Sequence, residues 1–275
     1  DHLVVRKVGE AAFDFKNIPA TEFVGYKKTE NGLFECDAKV LSVAHGEGEK
    51  LYIVADKTPF YAEMGGQSGD IGVITQGTNK AAIVNTTKTG DGIYVHEAEL
   101  IRGEIMTDEV ASLTVNMENR MAISRNHSAT HLLHKALKEI LGTHVAQAGS
   151  MVSASHLRFD FSHFEAMTKE QIKEAEDKVN HAILASMPVV VRELPIDEAK
   201  KLGAEAQFGE KYGETVRVVS MGDYSIEFCG GTHLTNTSQC GLFKIISENG
   251  VAAGVRRIEA VTGRGVLSYI EEKDA

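Results

Sequence analysis

The chain of 275 residues is 43% hydrophobic and carries 29 Lys+Arg against 39 Asp+Glu, a formal net charge of −10. That balance excludes a wholly disordered chain and argues against a DNA-coating protein. No apolar run approaches the ~18 residues of a membrane span, and three scattered cysteines, Cys36, Cys229 and Cys240, do not make a disulfide framework.

The opening DHLVVRKVGE has neither an initiator Met nor a signal pattern, so it reads as an internal piece of a longer, cytoplasmic chain. Residues 34–100 read as short strands, FECDAKVLSVA (34–44), KLYIVAD (50–56), DIGVI (70–74) and AAIVN (81–85), with glycine-marked turns. No helical period interrupts them, and a small closed barrel is the natural solution because closure removes exposed edges. The pattern changes near residue 116. Met117 to Leu141 predicts a helix that ends at Gly142. HLRFDFS (156–162) alternates as a half-buried strand. Thr168 and Gln171 form a capping box for a second helix, expected to stop at Met187 before Pro188. Five further strands are expected at 188–194, 215–220, 224–228, 242–247 and 255–261. The expectation is α+β: a glycine-rich β-barrel domain over 1–115, then over 116–275 two long helices against an antiparallel sheet. Residues 1–115 hold 11 Lys+Arg against 18 Asp+Glu, and 116–275 hold 18 against 21, so the second region is the better RNA surface.

Within the first helix, RNHSATHLLHKAL places His127, His131 and His134 within about 60° of arc, to one side of the leucine stripe. Such an arc flanks a core and can line a cleft. A second cluster, Cys229-Gly230-Gly231-Thr232-His233, follows the strand YSIEF, and its glycines let the ends converge. A thiolate and three imidazoles suit one zinc ion. His134 competes for a ligand position, although stacking or hydrogen bonding is the simpler role. Ser128 stands where a zinc peptidase helix carries Glu, which excludes that chemistry. Four protein ligands would close the metal and three would leave it open as a Lewis acid; the sequence leaves both readings standing.

The pair HSATH and CGGTH resembles the editing region of alanyl-tRNA synthetases and of the free-standing AlaX proteins. TPFYAEMGGQSGDIG (58–72), THVAQAGSMV (143–152), LRFDFSH (157–163), GEKYGETVRVVSMGDYSIEFCGGTH (209–233) and GLFKIISENGVAAGVRRIEAVTG (241–263) follow that family's patterns in order. The leading segment and the tail GRGVLSYIEEKDA look more like the synthetase than the free-standing proteins. The resemblance implies zinc held by His127, His131, Cys229 and His233. It implies hydrolysis of the ester of alanine tRNA mischarged with serine or glycine. Gln147 matches the pocket glutamine, and Gly65, Gly66 and Gln67 match a stretch expected to approach the site. Gln147 and Cys229 are the expected catalytic residues, and Thr130, Gln147 and Ser150 the expected hydrogen-bond partners of the substrate hydroxyl. ATP and Mg2+ belong to an aminoacylation domain absent from this sequence. The implied partners are the acceptor end of tRNA for alanine and the rest of the synthetase chain, with no DNA and no membrane. The rival readings are a free-standing editing protein and a noncatalytic zinc-stabilised tRNA-binding module.

Arg256 and Arg257 point to opposite faces of a strand, so one is a candidate RNA contact and the other a sheet-surface ion pair. The glycine-rich AEMGGQSGDIG lacks a following Gly-Lys-Ser/Thr and is not a nucleotide P-loop. Cys36 and Cys240 read as small structural residues.

Overall fold

The computed structural model describes residues 17–206 and 211–275, together with the strands β1 (Val5–Val8) and β2 (Ala11–Asp14) as backbone. Parts of the expected leading segment, and the Gly209-Glu210 start of the GEKYGE stretch, lie outside the described residues. Contacts divide the chain into two compact units, residues 1–64 with 68–120, and 65–67 with 121–275.

In the first unit, β3 (Glu22–Phe23) precedes β4 (Glu35–His45) and β5 (Lys50–Ala55), and β6 (Lys57–Thr58) pairs parallel with β3. Then come β7 (Gly72–Gln76), β8 (Asn79–Lys88), β9 (Tyr94–Arg102) and β10 (Val110–Val115). Six of these close an antiparallel barrel in the order β10-β4-β5-β9-β8-β7. Alternation fills it: Val40, Ile53, Ile74, Ile83, Ala98 and Leu113 point into one core, while Tyr52 and Val54, the neighbours of Ile53, pack into a second cluster with Ile93 and Val95. The expected barrel is therefore present, with two strands, β9 and β10, that the sequence reading did not pick out.

The first helix, α1 (Met117–Leu141), starts where the Asn116 side chain accepts from Asn119 N at 2.9 Å and ends at Gly142, whose φ is +120°. In the second unit it is followed by β11 (Gln147–Val152), β12 (Leu157–Ser162), α2 (Lys169–Leu184), β13 (Val189–Pro195) and α3 (Ile196–Lys201). The chain continues through β14 (Thr215–Met221), β15 (Ser225–Phe228), a 3-10 turn at Thr237–Cys240, β16 (Phe243–Ala252), β17 (Val255–Thr262) and α4 (Arg264–Asp274).

The expected single sheet is two antiparallel sheets, β11-β12-β17-β16 and β13-β14-β15, and the described residues hold four helices rather than two. The capping box at Thr168 and Gln171 is formed, but α2 ends at Leu184 rather than Met187. Ser186 takes a positive φ of 54° and its N–H returns to the Ile183 carbonyl, closing the helix before proline has any say. One core joins Leu132, Leu133 and Leu137 of α1 to Phe159 and Phe161 of β12, Val179 of α2 and Ile258 of β17.

Candidate metal centre

From Asn126 to His134 every residue of α1 is buried, so the histidine arc lies inside the unit instead of flanking its core. That is costly unless each imidazole is satisfied. Three of the Nδ1 atoms have partners within hydrogen-bond reach. His127 Nδ1 lies 2.8 Å from Gln67 Oε1, His131 Nδ1 2.8 Å from Glu227 Oε1, and His233 Nδ1 3.1 Å from Ser128 Oγ. An amide oxygen and a carboxylate only accept, so His127 and His131 donate through Nδ1 and leave Nε2 as a lone pair when neutral.

Those Nε2 atoms converge. Nε2 of His127 and of His233 lie 3.3 and 3.2 Å from Cys229 Sγ. His131 Nε2 is buried with no hydrogen-bond partner. One donor atom from each of His127, His131, Cys229 and His233 falls within 4.8 Å of all the others. The N···S distances approach the roughly 3.5 Å edge of a tetrahedral zinc site. Three nitrogens and a sulfur, each imidazole fixed from behind, is the donor set and outer support that zinc prefers.

Electrostatics point the same way. Burial opposes the Cys229 thiolate, but the charges of His127, His233 and His131 pull its pKa well below the ordinary thiol value. Burial likewise opposes a charged His131, yet Glu227 and Cys229 outweigh it and raise the imidazole to about 10. Burial keeps His233 neutral, down to about 3. Glu227 is held at about 2 despite its burial, chiefly by the charge of His131 and its hydrogen bonds to His131 and His134. The cluster draws in positive charge.

The CGGTH loop fits by close approach. A Cβ on Gly231 would sit 2.1 Å from His127 Cε1, so only glycine fits there, whereas Gly230 has open space. Arg217 Nη1 donates to the carbonyls of Cys229 at 3.2 Å and Gly231 at 2.5 Å, holding the loop. Gly66, at φ +81°, lies where a Cβ would meet the Ser150 carbonyl at 2.0 Å, and its own carbonyl accepts from Val152 N at 2.8 Å. This delivers Gln67, which is fully buried. Its Oε1 accepts from Thr232 N at 3.0 Å and its Nε2 donates to Thr232 Oγ1 at 2.8 Å. Gln67 therefore orients His127 instead of facing a cavity, while Gly65 supplies only a turn at φ +59°.

Other expected substrate contacts are also occupied. Thr130 Oγ1 donates to the Asn126 carbonyl at 2.9 Å within the helix. Arg256 Nε donates to Glu248 Oε1 at 2.5 Å, and Arg257 pairs with Asp160 at 2.7 Å. Ser150 is half-buried beside Gly66. Gln147 is different: it lines a cavity of about 300 Å³ with His134, Thr143, Ala146, Glu205 and Glu227. His134 is no part of the four-donor group. Its Nδ1 lies 3.0 Å from Glu227 Oε2 and its ring packs on Phe159 at 5.3 Å. The sequence reading missed Glu227, the carboxylate that joins His131 to His134. Strand alternation was its one signal, since Glu227 and Cys229 share a face. Cys240 is buried and its thiol is pushed up to about 12, in keeping with a structural residue.

Comparison with known proteins assigns the architecture. Residues 216–259 match the family model "Threonyl and Alanyl tRNA synthetase second additional domain", and residues 5–119 match "tRNA synthetases class II (A)". An alanine–tRNA ligase of Acetivibrio thermocellus is 50% identical over 92% of this chain, and one of Clostridioides difficile is 55% identical over 83%. The chain belongs to the alanyl-tRNA synthetase family. A Fusobacterium nucleatum alanine–tRNA ligase is 47% identical over 98% of the chain. Against these family members the chain spans 26–31% of their length. The segment matching the second additional domain contains Cys229 and His233, two of the four donors, and Glu227, the carboxylate behind His131.

Proposed function

We propose that the second unit hydrolyses the ester of alanine tRNA mischarged with serine or glycine, at a zinc site held by His127, His131, Cys229 and His233. The carrying observation is the convergence of three imidazole nitrogens on the Cys229 sulfur, each ring fixed through its other nitrogen, beside the cavity that Gln147 lines. Zinc bound there would supply a fixed positive charge for a developing oxyanion and a rigid frame for the cleft.

The chain's own residues then select and position. Gln147 offers a donor and an acceptor to the one hydroxyl that separates serine from alanine, a distinction an apolar synthetic pocket makes poorly. Glycine escapes rejection by size in the first pocket as well, so a second site must remove it too. Gln67, Ser128 and Glu227 hold the imidazoles of His127, His233 and His131, so the site needs little rearrangement when the ester arrives. The parts of the relatives outside this chain are proposed to attach alanine with ATP and Mg2+. The proposed compartment is the cytoplasm; among the described residues no helix is long and apolar enough to cross a membrane.

The test is release of labelled serine from preformed seryl-tRNA for alanine, beside an alanyl-tRNA control, with metal content measured on the same sample. Serine release well above the spontaneous rate, with the alanyl ester spared and the activity lost with the metal in Cys229→Ala, is the expected result. Spontaneous rates only, from a folded sample holding one zinc, would leave a binding module.

A further inference from the structure

A line of aromatic rings leaves the cavity and reaches the surface. His134 packs on Phe159 at 5.3 Å, Phe159 stacks on Phe161 at 6.1 Å, and Phe161 stacks on His163 at 6.5 Å. His163 meets His144 edge to edge, the rings 23° from coplanar with centres 5.1 Å apart and the facing nitrogens 2.8 Å apart. Strand alternation explains the spacing, because Phe159, Phe161 and the next position, His163, share one face of β12. The first rings are core. The last are not: His144 is exposed, His163 is half-buried, and Phe164 is 89% exposed. Phe164 rests against the β16–β17 hairpin at Gly254, where a Cβ would come within 3.1 Å of the ring. The His163 N–H donates to the Gly254 carbonyl at 3.0 Å, which anchors the shelf.

We infer that His144, His163 and Phe164 form a stacking shelf for unpaired nucleobases of the RNA acceptor end, just before the nucleotide that carries the amino acid. The inference deepens the proposed function and rests on it. Continuity decides the occupant, since Thr143, Ala146 and Gln147 of the cavity wall flank His144 along the chain. A substrate whose esterified end enters that cavity must lay its preceding nucleotides nearby. The chemistry of the shelf agrees. Flat imidazoles locked by a mutual hydrogen bond and one open phenyl ring offer π-faces, which single-stranded RNA recognition uses whatever the base. A protein partner would call instead for contiguous apolar area, and the exposed Glu165 and Thr143 beside these rings interrupt it.

The test compares wild type, Phe164→Ala and Phe164→Tyr on two substrates: seryl-tRNA for alanine, and the serine ester of adenosine alone. Phe164 is too exposed for its removal to threaten folding. The alanine variant is expected to raise KM on the tRNA roughly ten-fold with kcat little changed. It is expected to leave the adenosine ester unaffected, and the tyrosine variant to restore KM. An unchanged KM on the tRNA overturns the shelf while leaving the editing reading intact. If wild type hydrolyses neither substrate, the editing reading falls and the shelf is judged on binding alone. The probe is then a short single-stranded RNA ending in CCA, with 2-aminopurine placed in turn at its last three positions. Quenching by wild type that Phe164→Ala abolishes supports the shelf, and no quenching overturns it. A Phe164→Ala change confined to self-association in sedimentation also overturns it, in favour of a protein contact.

Discussion

The barrel unit and the second unit bury polar groups to opposite ends. In the barrel unit, Arg120 is buried with every nitrogen engaged: Nε and Nη2 on the Asp70 carboxylate, Nη1 on the Gly25 carbonyl at 2.7 Å, Nη2 also on the Pro59 carbonyl at 2.9 Å. The guanidinium lies 4.2 Å from the Phe34 ring centre, and Asp70 Oδ2 also accepts from Tyr61 N at 2.8 Å. Buried His96 is satisfied on both nitrogens, by Thr58 Oγ1 at 2.7 Å and the Ile53 carbonyl at 2.8 Å. Among the described residues, every buried side-chain N or O without a partner belongs to the second unit, and two of them are Nε2 of His131 and of His134. A closed polar network specifies a fold. An open one beside a cavity anticipates something that binds.

If the barrel network is closed, breaking it should cost stability and nothing else. Asp70→Asn leaves a buried guanidinium without its counter-charge, and a loss of about 3–5 kcal/mol is expected. Denaturant unfolding followed by amide exchange in the barrel strands measures it, with metal content of the second unit unchanged. A variant within 1 kcal/mol of wild type would mean that Arg120 finds other partners, and the comparison would weaken.

A second check of the barrel uses pH. Burial pushes His96 down from 6.5 to about 4, since its hydrogen bond to the Ile53 carbonyl only partly offsets the desolvation. The native imidazole is thus neutral while the unfolded one takes up a proton below 6.5, so stability falls as pH falls from about 6.5 towards about 4. With one proton taken up on unfolding, the slope is about 1.4 kcal/mol per pH unit, or roughly 3 kcal/mol across the window. His96→Gln should flatten that part of the profile. An equally steep profile in the variant would assign the acid sensitivity to other groups.

Legibility followed the kind of signal each element carries. α1 was legible to the residue because a long apolar stripe and a terminal glycine mark it, and so was the Thr168–Gln171 box. β9 was not, because its outward positions hold Glu97 and Glu99 and its inward ones include His96, which breaks the apolar alternation. α3 is six residues long and α4 opens on Arg264-Gly265, so neither has a helical period to read. The four candidate metal donors were legible from spacing, since His127 and His131 sit one helical turn apart and the CGGTH loop repeats the interval. Their supports were legible only in part: the resemblance brought Gln67 to the site from sixty residues before His127 but as a substrate contact, not as the partner of that ring, and Glu227 looks like the outward residue of an exposed strand. Contacts that depend on tertiary closure leave no local period.

Glu227 gives the finest division between the two units. A buried carboxylate in the barrel, Asp70, answers a permanent charge; Glu227 answers two imidazoles whose other nitrogens are unpartnered. Under the proposed zinc site, its part is to fix the His131 ring and strengthen that imidazole as a ligand. Glu227→Gln keeps the shape and one acceptor oxygen but removes the charge. Zinc affinity is expected to fall 10–100-fold, with little change in amide exchange at the barrel strands. Competition with a chromophoric chelator gives the affinity directly, and Glu227→Asp separates charge from reach. If Glu227→Gln binds zinc as tightly as wild type, the carboxylate serves His134 and the cavity rather than the metal. The open nitrogen of His134 would then be the one that matters.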